Sequence, residues 1–144
     1  MAHNLVQKIW RDKEKGVVNP LAFSELAQGL AKAIHEDGLN RRGRPEKNKS
    51  SQLRKYYDVI FNLNQRAKME KADWNAILAQ LHRQLALVHY AKGRDLVTKS
   101  FVEMMEELIK AVDQSPEQGK KDLEVVTNFL EAFMAYYKEC RPKN

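Results

Sequence analysis

Apolar side chains recur along this chain every three or four residues, the spacing that places them on one face of an α-helix. Asn19-Pro20 reads as a helix cap followed by proline at the first helical position, and Leu21, Phe23, Leu26, Leu30 and Ile34 then repeat at helical intervals. Gly38 predicts the end of that helix, in a left-handed conformation. Before it, Leu5, Val6, Ile9 and Trp10 predict a short N-terminal helix that stops near Gly16. Ser50 or Ser51 reads as the cap of another helix. Its Leu53, Tyr56, Tyr57, Ile60, Asn64 and Ala67 share one face, and Arg54, Lys55, Asp58, Asn62, Gln65 and Arg66 share the opposite one.

Asp73 is placed to cap a long helix with the stripe Trp74, Ile77, Leu78, Leu81, Leu85 and Val88, and Gly93 is its expected stop. A further helix is predicted from about Leu96 to Val112, with Phe101, Met104, Met105, Leu108, Ile109 and Val112 inward. Ser115-Pro116-Glu117-Gln118 predicts a capping box, and the last helix buries Val126, Phe129, Leu130, Phe133, Met134 and Tyr137 before ending near Cys140. No segment alternates with period two, and β-branched residues never cluster. The expected fold is all-α, a single domain over residues 1–144 built as a bundle of five to six helices. A chain of this size buries roughly 70% of the surface its unfolded form exposes, so such a bundle needs no disulfide or metal to hold it.

One stretch breaks the helical pattern. Residues 38–49 (GLNRRGRPEKNK) hold two glycines, one proline and almost no apolar side chain, which by composition is a mobile loop. The charge concentrates there. Arg41, Arg42, Arg44, Lys47, Lys49, Arg54 and Lys55 lie between positions 38 and 55 against Glu46 alone, an excess of +6 that equals the formal net charge of the whole chain. A basic patch on an otherwise neutral body raises the potential locally and favours polyanions; a solvated loop that only aids solubility is the plain alternative.

Other chemistry finds little footing. The single cysteine, Cys140, excludes an internal disulfide and fits a reducing compartment. Met1 to Lys15 lacks the apolar core of a secretory signal, and no apolar run approaches the ~20 residues needed to cross a bilayer, so an intracellular, cytoplasmic protein without a membrane partner is expected. Zinc needs three or four converging ligands. The histidines are His3, His35, His82 and His89, and the last two read as edge-of-core residues with no acidic partner on their own face. Neither GxxxxGK[ST] nor GxGxxG occurs, and Glu106 and Glu107 read as a hydrated helix face. No catalytic residue, metal or cofactor is therefore expected.

The basic segment points to nucleic acid. Arginine suits phosphate because its planar fork donates two parallel hydrogen bonds and stays charged, and four of the nine arginines lie between positions 41 and 54. Bases are read by stacking aromatics or by a rigid helix in a groove, and the loop has neither, with Tyr56 and Tyr57 expected in the core. The expectation is a backbone-contacting, sequence-tolerant binder. A helix-turn-helix DNA reader is disfavoured by Asp58 in the middle of the exposed helix face and by the long connection before that helix. A helical module whose basic loop binds an acidic protein is a further alternative, and a nuclease lacks any metal-binding cluster.

Three stretches carry a family resemblance. Ser50-Ser51-Gln52-Leu53-Arg54-Lys55-Tyr56-Tyr57 after the basic loop resembles the Ser/Thr-Ser-x-Leu-Arg signature of the Csm small subunit of type III-A CRISPR effector complexes. His89-Tyr90-Ala91-Lys92-Gly93-Arg94-Asp95 is similar to that family's Tyr-x-x-Gly-Arg segment, and Phe129 to Tyr137 resembles its closing aromatic helix. Residues from about 40 to 140 take part, while the first 38 match poorly; Ser50 stands where threonine is common, which keeps the cap. The resemblance implies a non-catalytic helical subunit, present in several copies stacked as a filament within the complex during antiviral defence. It implies contact with the sugar–phosphate backbone of guide and target RNA, with cleavage left to a neighbouring subunit. It assigns RNA contact to Lys49, Arg54, Lys55 and Arg94, and charge alone adds Arg41, Arg42, Arg44 and Lys47.

Overall fold

The computed structural model describes residues 4–143, so His3 lies outside the described residues. Six α-helices are found there: α1 (Leu5–Ile9), α2 (Glu25–Asp37), α3 (Ser50–Ala67), α4 (Trp74–Gly93), α5 (Lys99–Lys110) and α6 (Pro116–Cys140). The all-α expectation holds apart from one small departure. Trp10–Asp12 (β1) and Val17–Val18 (β2) pair antiparallel, with Gly16 at φ +71° in the turn. Too few residues take part for a period-two pattern to be visible in the sequence. The short α1 ends as Trp10 turns into β1, well before Gly16.

The helix expected from Pro20 is interrupted. Pro20–Phe23 is a 3₁₀ turn capped by the Asn19 side chain, which accepts from the Leu21 N–H at 3.2 Å. Ser24 leaves helical geometry (φ −125°, ψ −84°), and α2 starts at Glu25. Leu21 consequently stays exposed, and α2 buries Ala27, Ala31 and Ile34. Gly38 ends α2 at φ −90°, not in the left-handed region. Glycine is needed there for space: a Cβ would collide with the Lys47 carbonyl oxygen and lie 2.8 Å from Arg141 Nη2.

The remaining ends show which side chains do the capping. Asp73 caps α4 as expected, accepting from Ala76 N–H at 3.1 Å. Ser50 is the first residue of α3, with its hydroxyl turned to the Arg141 carbonyl at 3.4 Å, and Lys49 holds the cap position. The capping box at Ser115 does not form. The Ser115 hydroxyl donates to Asp113 at 2.6 Å, and Gln118 donates instead to Asp122 and the Lys13 carbonyl. α5 begins only at Lys99, because Thr98 is extended and the Leu96 carbonyl and Thr98 N–H are bonded to Asn48 of the loop.

α6 is the centre of the bundle, packed chiefly on α2 and α3, while α4 packs on α5 and α3. Val126, Phe129, Leu130, Phe133, Met134 and Tyr137 are all buried, and the Phe133 and Tyr137 rings stack at 5.4 Å. One buried polar knot anchors the N-terminal hairpin to α6. Asp122 accepts from Lys13 Nζ at 2.7 Å and from Asp113 N–H at 3.0 Å, so its burial leaves it paired. Glu107 departs from the hydrated-face expectation: its Oε1 accepts the Leu5 N–H at 3.0 Å, and its Oε2 is buried without a partner.

Candidate nucleic-acid interface

The loop that joins α2 to α3 has a defined course, although its composition reads as mobile. Gly38 O accepts both the Glu46 and Lys47 N–H groups at 2.9 Å, closing the loop at its neck. Further out, Leu39 bridges Pro45, and the Asn40 side chain accepts from Arg42 and Arg44 N–H at 2.9 and 3.1 Å. Gly43, at φ +73°, supplies the reversal that an L side chain resists. The tip is thus a small turn that spends backbone groups on itself. Arg41, Arg42 and Arg44 project from it exposed, and none forms an ion pair with a described residue.

Asn48 fastens the other end. It is fully buried at φ +59°. Its side chain donates to Ile34 O at 3.0 Å and to Thr98 Oγ1 at 2.8 Å, and accepts from Thr98 N–H at 2.9 Å. Its N–H donates to Leu96 O at 3.0 Å. Arg141, at the end of α6, closes the anchor: its guanidinium donates to Lys47 O at 3.0 Å, to Asn48 O at 3.2 Å and to His35 Nδ1 at 2.7 Å. Burial first, then the adjacent Arg141 charge, hold the His35 pKa below its ordinary value. A neutral His35 is what keeps Nδ1 free to accept.

The structure brings only two of the remaining sequence-predicted residues, Lys55 and Arg94, into one groove. Lys47 lies at the base of the loop, 3.5 Å from Asp95, which follows Arg94 in the α4–α5 turn. Lys55 and Arg94 face one another across a groove between α3 and α4 whose volume is about 400 Å³. The Lys55 ammonium lies 5.2 Å from the Tyr56 ring, and the Arg94 guanidinium 5.8 Å from the Tyr90 ring. Arg54 is not brought to this groove. It sits about 100° round α3 from Lys55, on the side of Tyr57, whose pKa burial and Glu131 raise and Arg54 partly lowers. Lys49 is exposed at the start of α3, where no acidic residue occupies the first turn and an anion is favoured.

Three groove residues were missed by the sequence reading: Arg83, Gln84 and Tyr90. A signal was present. Arg83, Leu87, Tyr90 and Arg94 fall at i, i+4, i+7 and i+11, one stripe of α4 that ends in the recognised Gly-Arg segment. Tyr56 is buried as expected, but Tyr90 is 65% exposed, so the basic surface does carry an aromatic ring. His82 and His89 are exposed rather than at the core edge, and His89 Nε2 lies 3.7 Å from Glu106 of α5. Among the described residues no three of His, Cys, Asp and Glu come together as a metal site. No described helix is long and apolar enough to cross a membrane.

A helical protein with a concentrated basic surface is the class these features define. A family profile described as Csm2 Type III-A matches residues 25–143. The chain belongs to that family, the small subunit of the type III-A CRISPR complex, whose other Csm subunits are its partners. The match takes in α2 as well as the motif-bearing region from residue 40 onward. No curated protein and no solved structure matches the chain.

Proposed function

We propose that this subunit is a non-catalytic RNA-binding protein that holds the sugar–phosphate backbone of guide and target RNA without preference for sequence. Arg41, Arg42 and Arg44 at the loop tip, with Lys47, Lys49, Arg54, Lys55 and Arg94, are its contacts. Copies of the chain lie side by side along one RNA, so that weak contacts add through effective concentration. One observation carries the reading: three loop-tip guanidiniums stand in solvent without internal partners, on a turn whose neck is fastened by buried hydrogen bonds. Charges spent inside the protein would have nothing left for phosphate. The membership in a CRISPR-complex family supports an RNA partner.

The test is a salt titration of RNA affinity. Neutralising about five phosphates gives a log–log slope of roughly −3.5 to −4.5, with similar affinity for unrelated RNA sequences of equal length. Charge reversal of Arg41, Arg42 and Arg44 together abolishes that binding while helicity stays unchanged. Absence of RNA binding by the wild type at low salt overturns the reading, and a strong preference for one DNA sequence replaces it with a DNA-reading one.

A further inference from the structure

The α3–α4 groove holds a feature that phosphate binding leaves unexplained. Gln84, on its α4 wall, is only 5% exposed, yet its carboxamide forms no hydrogen bond with another described residue. Its amide atoms are not sealed off either, since among the described residues the buried side-chain atom without a partner is Glu107 Oε2. A nearly buried amide that lines a groove and has no partner among the described residues is left to bond whatever occupies the groove, water or a ligand. By contrast, Gln52 on the α3 wall donates to the Tyr56 hydroxyl at 3.3 Å, and that hydroxyl donates to Leu87 O at 3.3 Å. The floor between these amides is apolar, from Val59 and Leu87. The rim carries the Tyr90 ring and three cations, Lys55, Arg83 and Arg94.

We propose that this groove is a nucleotide pocket, which takes one unpaired nucleobase of the bound RNA against Tyr90 and Gln84 while Lys55, Arg83 and Arg94 hold the flanking phosphates. It rests on the RNA reading above and adds a base to a site otherwise read as touching backbone alone. The volume suits it, since small-molecule sites begin at about 300 Å³. The chemistry suits it as well. A base has two apolar π-faces and a polar edge, and the groove offers an aromatic ring, aliphatic floor and one amide. The Arg94 guanidinium lies 5.8 Å from the Tyr90 ring, and that ring is 65% exposed, so aromatic surface is left for a base. A carboxamide carries both an acceptor and donors and meets the edge of any base by rotating about its terminal bond. The pocket therefore requires a base without selecting a letter, in keeping with a subunit that accepts any target.

The experiment compares full-length protein binding to a short single-stranded RNA and to the same ribose–phosphate strand lacking its bases, at equal phosphate number and fixed salt. The wild type prefers the base-bearing strand by about ten-fold, the range of one aromatic–base stack. Tyr90→Ala brings that ratio close to one, Tyr90→Phe keeps it, and Gln84→Leu lowers it. Equal affinity of the wild type for the two strands overturns the pocket but leaves backbone binding standing, as does a ratio that survives Tyr90→Ala. Failure to bind either strand at low salt overturns both readings at once.

Discussion

The hydroxyl of Tyr137, in the last turns of α6, donates to the carbonyl oxygen of Asn48 at 2.6 Å, joining the end of the chain to the residue on which the basic loop ends. The same oxygen accepts from Arg141 Nη1 at 3.2 Å. The basic loop is thus braced from behind by a helix nearly a hundred residues away in sequence, and the brace is made almost wholly of backbone carbonyls and buried donors. Fixing the neck in this way leaves the charges of the tip no internal use.

Removing that hydroxyl in Tyr137→Phe costs about 1 kcal/mol, because Asn48 O keeps its bond from Arg141. Asn48→Ala costs more, about 3 kcal/mol, since it strips Thr98 N–H of its partner, leaves Ile34 O with the Gly38 N–H alone and puts alanine at a positive φ. Chemical denaturation of both variants gives the order. Burial pushes the Tyr137 pKa up to about 12 from 10.0. The unfolded phenol therefore ionises first, and the stability this group contributes is lost as pH climbs above 10.0.

Gly38→Ala destabilises by about 2 kcal/mol, because the added methyl meets the Lys47 carbonyl and the Arg141 guanidinium and the neck must spread. Gly43→Ala has open space around its Cβ and bears only the strain of φ +73°, about 1 kcal/mol. Denaturant midpoints with unchanged slopes are expected for both. A Gly38→Ala protein as stable as the wild type contradicts the packing of the neck.

Acid loosens the anchor at His35. Its folded pKa lies below the model-peptide value of 6.5, so below pH 6.5 the unfolded chain binds the proton more readily and stability falls. Glu106, Asp113 and Glu124 are shifted downward from 4.5, 3.8 and 4.5, the first mainly by its hydrogen bond from Lys110, so their contributions are lost only at lower pH. A drop in melting temperature that begins as pH falls below 6.5, in the window above the carboxylates, is therefore assigned to His35. His35→Gln, which keeps an acceptor for Arg141 and cannot titrate, flattens that window.

Arg83→Gln tests the groove's cations separately from the loop. If Arg83 meets one phosphate, the salt slope on single-stranded RNA falls in magnitude by about 0.7. The loss is uniform across sequences, because a phosphate contact carries no letter. An unchanged slope removes Arg83 from the interface.

The helices were legible because their burial repeats with the period of the backbone itself. Phe129, Phe133 and Tyr137 announce the buried face of α6, and Asp73 announces the start of α4, from spacing and side-chain type alone. Caps that depend on competition were not legible. Ser115 prefers Asp113 and Gln118 prefers Asp122, partners that local pattern cannot weigh against a capping box. The break at Ser24 has the same origin, since an uninterrupted helix and a turn followed by a helix share one apolar pattern there.

Charge was likewise readable as a count, and with it the excess of basic residues between Gly38 and Lys55. What that count could not contain was direction. Lys55 and Arg54 are neighbours in the chain and separate on the helix, while Lys55 and Arg94 are far apart and share a groove with Arg83, Gln84 and Tyr90. Sequence determined the element types and the sign of the surface, because both follow from local periodicity and composition. The tertiary fold alone decided that Asn48 and Arg141 would brace the loop and which side chains would line one cleft, because those depend on how long-range packing orients each helix about its axis.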